Sequence, residues 1–133
     1  MKIHHGRLPG AASESRTETF TGTVWADPVL AESPGLTANT VCFTPGARTY
    51  WHSHGEGQIL VVTHGRGFVQ NRDGDGSVVG PGDIVYAPAG EEHWHGALGD
   101  SLLVHLAISL GPARWLSEVE EDLYQRVVAA AGS

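Results

Sequence analysis

The chain has 133 residues, 41% hydrophobic and 17% charged, a composition that suits one folded domain and excludes a disordered one. Its net charge of −7, with lysine and arginine scattered singly, leaves no basic stripe for a phosphate backbone, so no nucleic-acid partner is expected. There is no signal-peptide core and no run of about 18 apolar residues, and the lone Cys42 allows no internal disulfide, so the expectation is a soluble cytoplasmic protein with no membrane partner.

In chain order, residues 1–19 are polar and read as an N-terminal arm, in which His4 and His5 are either free in solution or cover a pocket. From Phe20 short apolar runs recur between turn signals such as "SPG", "PGA", "GEG", "GRG", "DGDG" and "GPGD". Turn signals about 8 to 12 residues apart predict an all-β sandwich or barrel over residues 20–111. "DGDG" at 73–76 marks a tight turn, and it lacks the spaced oxygens of a calcium loop. Residues 112–133 change period: Ser117 and Glu120 fit a capping box, and Val119, Leu123, Val127 and Ala130 recur at helical spacing. One C-terminal helix over about 117–130 is expected, packed on the barrel or on a partner subunit.

The chemistry concentrates in "TYWHSHGEGQ". Strand side chains alternate faces, so His52 and His54 point the same way, roughly 6.5–7 Å apart at their Cα atoms, a spacing from which both rings can reach one ion. Solvent exposure on an edge strand is the alternative. "EEHWHGA" supplies His93 and His95 at the same spacing, and His105 interrupts the apolar run "LLVHLAI". Five histidines in three strand-like segments favour an inward cluster. Tyr50 shares the His52 parity and is a candidate donor to substrate, with packing at the barrel mouth as the other reading. Arg48 shares that parity too, and a salt bridge is its simpler role. Trp25, Trp51 and Trp94 fall outside the histidine rows and are expected on the outer face, while His64, before "GRG", reads as a surface residue.

These residues carry a resemblance. "GARTYWHSHGEGQILVVTHG" at 46–65 resembles the first cupin motif, and "GDIVYAPAGEEH" at 82–93 resembles the second, with matching spacing and order. The resemblance implies a cupin jelly-roll β-barrel holding one divalent metal ion, manganese, zinc or iron, on His52, His54, Gln58 and His93. Glutamine stands at position 58 where the pattern has glutamate; a neutral amide oxygen weakens the hold on a hard metal and leaves the ion more Lewis-acidic. "FTGTVWADP", "EEHWHGA" and "HLAI" are similar to single-domain bacterial cupins that include manganese-dependent hydroxynitrile lyases, and to cupin-type aromatic polyketide cyclases. Carried over from the lyase-like members, His95 and His105 would do acid–base work beside the metal.

The expected activity is therefore aldol-type carbon–carbon chemistry on a small organic carbonyl or aromatic substrate, as a hydroxynitrile lyase or a polyketide cyclase. A cupin dioxygenase using iron and oxygen, and a barrel that only binds a small ligand, are the alternatives. Resemblance to small cupins also implies a homodimer, which would cover exposed strand edges.

Overall fold

The computed structural model describes residues 1–30 and 35–131, so the turn expected around Ser33 and Pro34 lies outside the described residues. The strands are β1 (Glu14–Arg16), β2 (Phe20–Thr21), β3 (Val24–Leu30), β4 (Leu36–Phe43), β5 (Arg48–Thr49), β6 (His52–His54), β7 (Gly57–Gly65), β8 (Gly67–Asn71), β9 (Gly76–Val79), β10 (Ile84–Ala87), β11 (His93–Ala97), β12 (Leu103–Leu110) and β13 (Ala113–Trp115), followed by helix α1 (Glu121–Ala130). They form two antiparallel sheets, one in the order β1-β3-β4-β12-β7-β10 and the other β13-β6-β11-β5-β2, with β8 also on β11 and β9 on β8. The architecture is the all-β jelly roll with one C-terminal helix that the sequence predicts. Strand pairing reaches into both flanks, since β1 joins β3 and β13 joins β6.

Strand alternation builds the interior. On β12, Ser109 faces Thr37 and Gln58, Ala107 faces Asn39 and Leu60, and His105 faces Val41 and Val62 across the two neighbouring ladders. One end of this row is polar and the other apolar, where Val24, Phe43, Leu60, Val62 and Leu103 are almost fully buried. A register shift between Val104 and His105 leaves Thr63 as an extra residue on β7, so His64, in step with Gln58 by count, is turned out to solvent.

A second core lies outside the barrel. Trp51, Trp94 and Leu98 pack under Val119, Tyr124 and Val128, and the Tyr124 hydroxyl donates to the Ala97 carbonyl at 2.7 Å. Trp94 is completely buried. Burying a large apolar side chain contributes about 1.5–3 kcal/mol, so these two tryptophans hold the helix to the sheet. Helix α1 buries Tyr124 and Val128, with Leu123 and Val127 at the margins, a stripe rotated from the expected one. The expected capping box is not formed: the helix begins at Glu121 and the N-cap Glu120 makes no side-chain cap. Ser117 is committed elsewhere, because its carbonyl accepts the Trp51 N–H at 2.9 Å. Among the described residues nothing similar covers the outer face of the six-stranded sheet, where Trp25, Ile84 and Tyr86 are 45, 69 and 64% exposed.

Candidate metal centre and cavity

The two sheets bring all five strand histidines into one buried cluster. His93 faces His52 directly across β11 and β6, and their ring centroids are 4.4 Å apart. His54 lies 5.1 Å from His52, His95 lies 5.2 Å from His52, and His105 lies 4.8 Å from His95, ring to ring. All five are at most 5% exposed.

The backbone sets the tautomers of two of them. His52 Nδ1 is 2.8 Å from the Tyr50 carbonyl oxygen and His93 Nδ1 is 2.9 Å from that of Glu91. A carbonyl only accepts, so each Nδ1 carries the proton and each Nε2 presents a lone pair to the interior. Such an outer hydrogen bond is the usual support of a metal-ligating imidazole. The other pair is built differently. His105 Nε2 and His95 Nδ1 are 3.0 Å apart and share one hydrogen bond, which leaves His95 Nε2 facing the cluster.

These donors fit a divalent cation. Gln58 Oε1 lies 2.9 Å from His93 Nε2, so two acceptors face each other, an arrangement that only a proton or a cation makes favourable. A proton is disfavoured because burial lowers the His93 pKa below its ordinary value. Both ring nitrogens of His54, Nε2 of His95 and Nδ1 of His105 are buried without a hydrogen-bond partner among the described residues. Burial, followed by its histidine neighbours, also holds His52 and His95 well below 6.5. His54 is lowered to about 4 by burial and then His93, and His105 to about 4 by burial. Neutral imidazoles and a neutral amide are the ligand chemistry of zinc, iron and manganese rather than of calcium.

The ligand atoms of His52, His93 and His95 lie within 4.8 Å of one another. This trio contains His95, which the sequence reading reserves for proton transfer, and leaves out His54. His54 sits one ring further on, 5.9 Å from His93, and the Gln58 amide closes the group.

A cavity of about 370 Å³ opens onto the cluster, with His52, His54, Gln58, His95 and His105 in its wall. Its aromatic side is Phe20, Phe43 and Trp115, and its polar side is Thr37, Asn39 and Ser109. Trp115 lies over His52 at 4.6 Å between centroids and 31° between planes, and touches Phe20 at 5.6 Å.

Tyr50 is not among the residues lining this cavity, which corrects the expectation drawn from parity. Arg48 pairs with Gly96 but His52 pairs with His93, so four steps on one strand match three on the other and the alternation slips between them. The slip leaves Thr49 inside, where its hydroxyl accepts the His95 N–H at 3.2 Å, and puts Arg48 outside. Arg48 instead donates to the Val119 carbonyl at 3.0 Å and to Glu121 at 2.9 Å, and lies over the Tyr124 ring. Gly96 permits that path, since a Cβ there would stand 2.5 Å from both Arg48 Cβ and the Ala47 carbonyl oxygen. Neither His4 nor His5 reaches the cavity wall. Ser109, Thr37 and Asn39 could have been found by carrying the parity of His105 and Phe43 along their strands. Trp115 had no such signal, because it follows Gly111 and Pro112.

The match to known proteins covers most of the chain. The family described as Cupin domain matches residues 39–109. The chain is 43% identical over 122 residues, 87% of its length and 93% of the relative's, to an (R)-mandelonitrile lyase of Granulicella tundricola. Among solved structures, a cupin-like protein of Thermotoga maritima aligns with a TM-score of 0.80 at 39% identity, over 95% of this chain and 96% of that one. The polyketide cyclase RemF of Streptomyces resistomycificus aligns at 0.70 and 21% identity, over 96% and 92%, a likeness of fold alone. With both histidine motifs folded onto one barrel interior and relatives alike along nearly the whole sequence, the chain belongs to the cupin family.

Proposed function

We propose that the protein is a metal-dependent lyase of the hydroxynitrile type, cleaving or forming the bond between a carbonyl carbon and cyanide. The observation that carries this reading is the His95–His105 pair, buried, joined through one hydrogen bond and opening onto the same cavity as the candidate ligands. The 43% identity to a mandelonitrile lyase supports it. A divalent ion on His52, His54, Gln58 and His93 would supply Lewis-acid polarisation of a substrate oxygen.

The chain's own residues do the rest. His95 Nε2 takes the proton of the substrate hydroxyl, and the electron pair of that O–H bond becomes the second bond of the carbonyl. The bond to the nitrile carbon breaks, and its electrons leave with cyanide. The same proton then goes to cyanide, so one hydroxynitrile gives one aldehyde and one hydrogen cyanide. His105 holds the His95 ring in place and can accept its Nδ1 proton while Nε2 is charged. Histidines held below 6.5 by burial are in the base form at neutral pH and release a captured proton readily. Phe20 and Trp115 would hold an aromatic ring at the mouth. A cavity at the small end of the roughly 300–1,000 Å³ range of ligand pockets favours one ring over a polycyclic chain.

The test is release of benzaldehyde from mandelonitrile by protein loaded separately with manganese, zinc and iron, without oxygen. Aldehyde release by the manganese or zinc form supports the reading. No release from any form, or activity confined to iron with oxygen, overturns it. Pairing into a homodimer is part of the same proposal, because the uncovered sheet face with Trp25, Ile84 and Tyr86 is apolar and so complementary to a second copy of itself. Sedimentation velocity checks this, and a monomer at micromolar concentration sinks it.

A further inference from the structure

An amide ligand differs from a carboxylate in having a wrong way round: its oxygen can hold a cation and its NH2 cannot. In this chain Gln58 is turned oxygen-inward. Its Nε2 donates to Ser109 Oγ at 3.0 Å while Oε1 faces His93 Nε2 at 2.9 Å. Gln58 and Ser109 face each other directly in the β7–β12 ladder, at the polar end of the row that runs on through Ala107 to His105. Gln58 is only 4% exposed, so its amide has little water to turn to.

We propose that Ser109 is the positioning residue of the cation centre, accepting the Gln58 amide N–H and so keeping the amide oxygen toward the ion. This rests on the metal-centre reading and adds to it why glutamine can stand at position 58. When the amide oxygen is a ligand, its NH2 must find an acceptor on the far side, and Ser109 Oγ supplies one. Removing that acceptor makes the oxygen-inward state the costly one, because the N–H that Ser109 accepted is left buried and unmet. Turning the amide over relieves the cost but aims N–H at the cation. Either way the ion is held less well. A serine is also adaptable: it accepts from the amide in the loaded protein and can donate to the reversed amide in the stripped one.

The experiment is a competition titration of cobalt(II) and zinc(II) against a chromophoric chelator, using stripped protein. S109A should weaken metal binding about tenfold to a hundredfold, the range for loss of an outer-shell partner, and shift the visible bands of the cobalt form. S109T should restore binding, and the isosteric S109V should not. In Q58L the S109A change should have no further effect on affinity. Wild-type affinity in both S109A and S109V, or an equal loss in the Q58L background, would overturn the role of Ser109 while leaving the metal centre standing. Failure of the wild-type chain to bind either ion overturns both.

Discussion

The two histidine pairs of the cluster are equally buried, yet their hydrogen bonds differ. His52 and His93 each give the Nδ1 proton to a backbone carbonyl, so each ring is fixed in one tautomer with its lone pair inward. His95 Nδ1 and His105 Nε2 share one hydrogen bond instead, so the proton between them has two places to sit. Under the proposed function, backbone anchoring suits a ligand and side-chain pairing suits a relay. Identical residue types thus separate by the partner on the far nitrogen rather than by depth.

The largest expected effect breaks the comparison outright. H52A and H93A should lose both the ion and all turnover, while H95A and H105A should keep about one ion per chain and lose turnover by about 10²–10⁴-fold, the usual weight of a general base. Metal content by mass spectrometry beside the rate of aldehyde release reads both. Loss of the ion in H95A would move that residue from relay to ligand, as its place within 4.8 Å of His52 and His93 allows. His54 decides the same question from the other side: H54A should lower metal affinity if it is the third imidazole ligand, and leave it unchanged if His95 fills that place.

The pH dependence of stability sharpens the contrast further. The folded chain holds all five histidines below 6.5, with His54 and His105 at about 4, so between those values the unfolded chain binds more protons than the folded one. Stability of the stripped protein should therefore be full above about pH 6.5 and fall as the pH drops toward 4, by an amount on the order of a few kcal/mol. Thermal melts at pH 7.5 and pH 5 measure the fall. H105A, with one such group removed, should flatten it.

Two smaller effects act as controls, since neither touches the pairs' hydrogen bonds. R48A strips a donor from the buried Val119 carbonyl and should destabilise by about 1–3 kcal/mol with metal content unchanged. The ion pair of Arg48 with Glu121 adds little, because the Glu121 side chain is 64% exposed. W115A removes an aromatic wall of the mouth and should raise KM about threefold to tenfold, leaving metal content and melting temperature nearly as they were.

Where sequence reasoning succeeded it used short-range rules. Turn spacing gave an all-β sandwich or barrel, the two motifs' resemblance to cupins implied the jelly roll, and alternation put His52 with His54 and His93 with His95 on one face. The salt bridge expected of Arg48 is formed, with Glu121, but parity put Arg48 and Tyr50 on the wrong face, because alternation holds only while the strand is regular and the slip between Arg48 and His52 is invisible in composition. The count from Gln58 to His64 is upset the same way by the extra residue at Thr63.

The sequence by itself determined an all-β fold, the shared faces of its histidine pairs and the amide in place of a carboxylate, because these follow from residue type, turn spacing and a period of two. Only the tertiary structure decided which nitrogen of each ring is free, that Ser109 meets Gln58 and that Trp115 closes over His52. The free nitrogens depend on local backbone geometry and on how two inner faces meet, and the Ser109 and Trp115 contacts on register between strands about fifty residues or more apart in the chain. That register is settled by packing across the whole barrel, and no local stretch of sequence contains it.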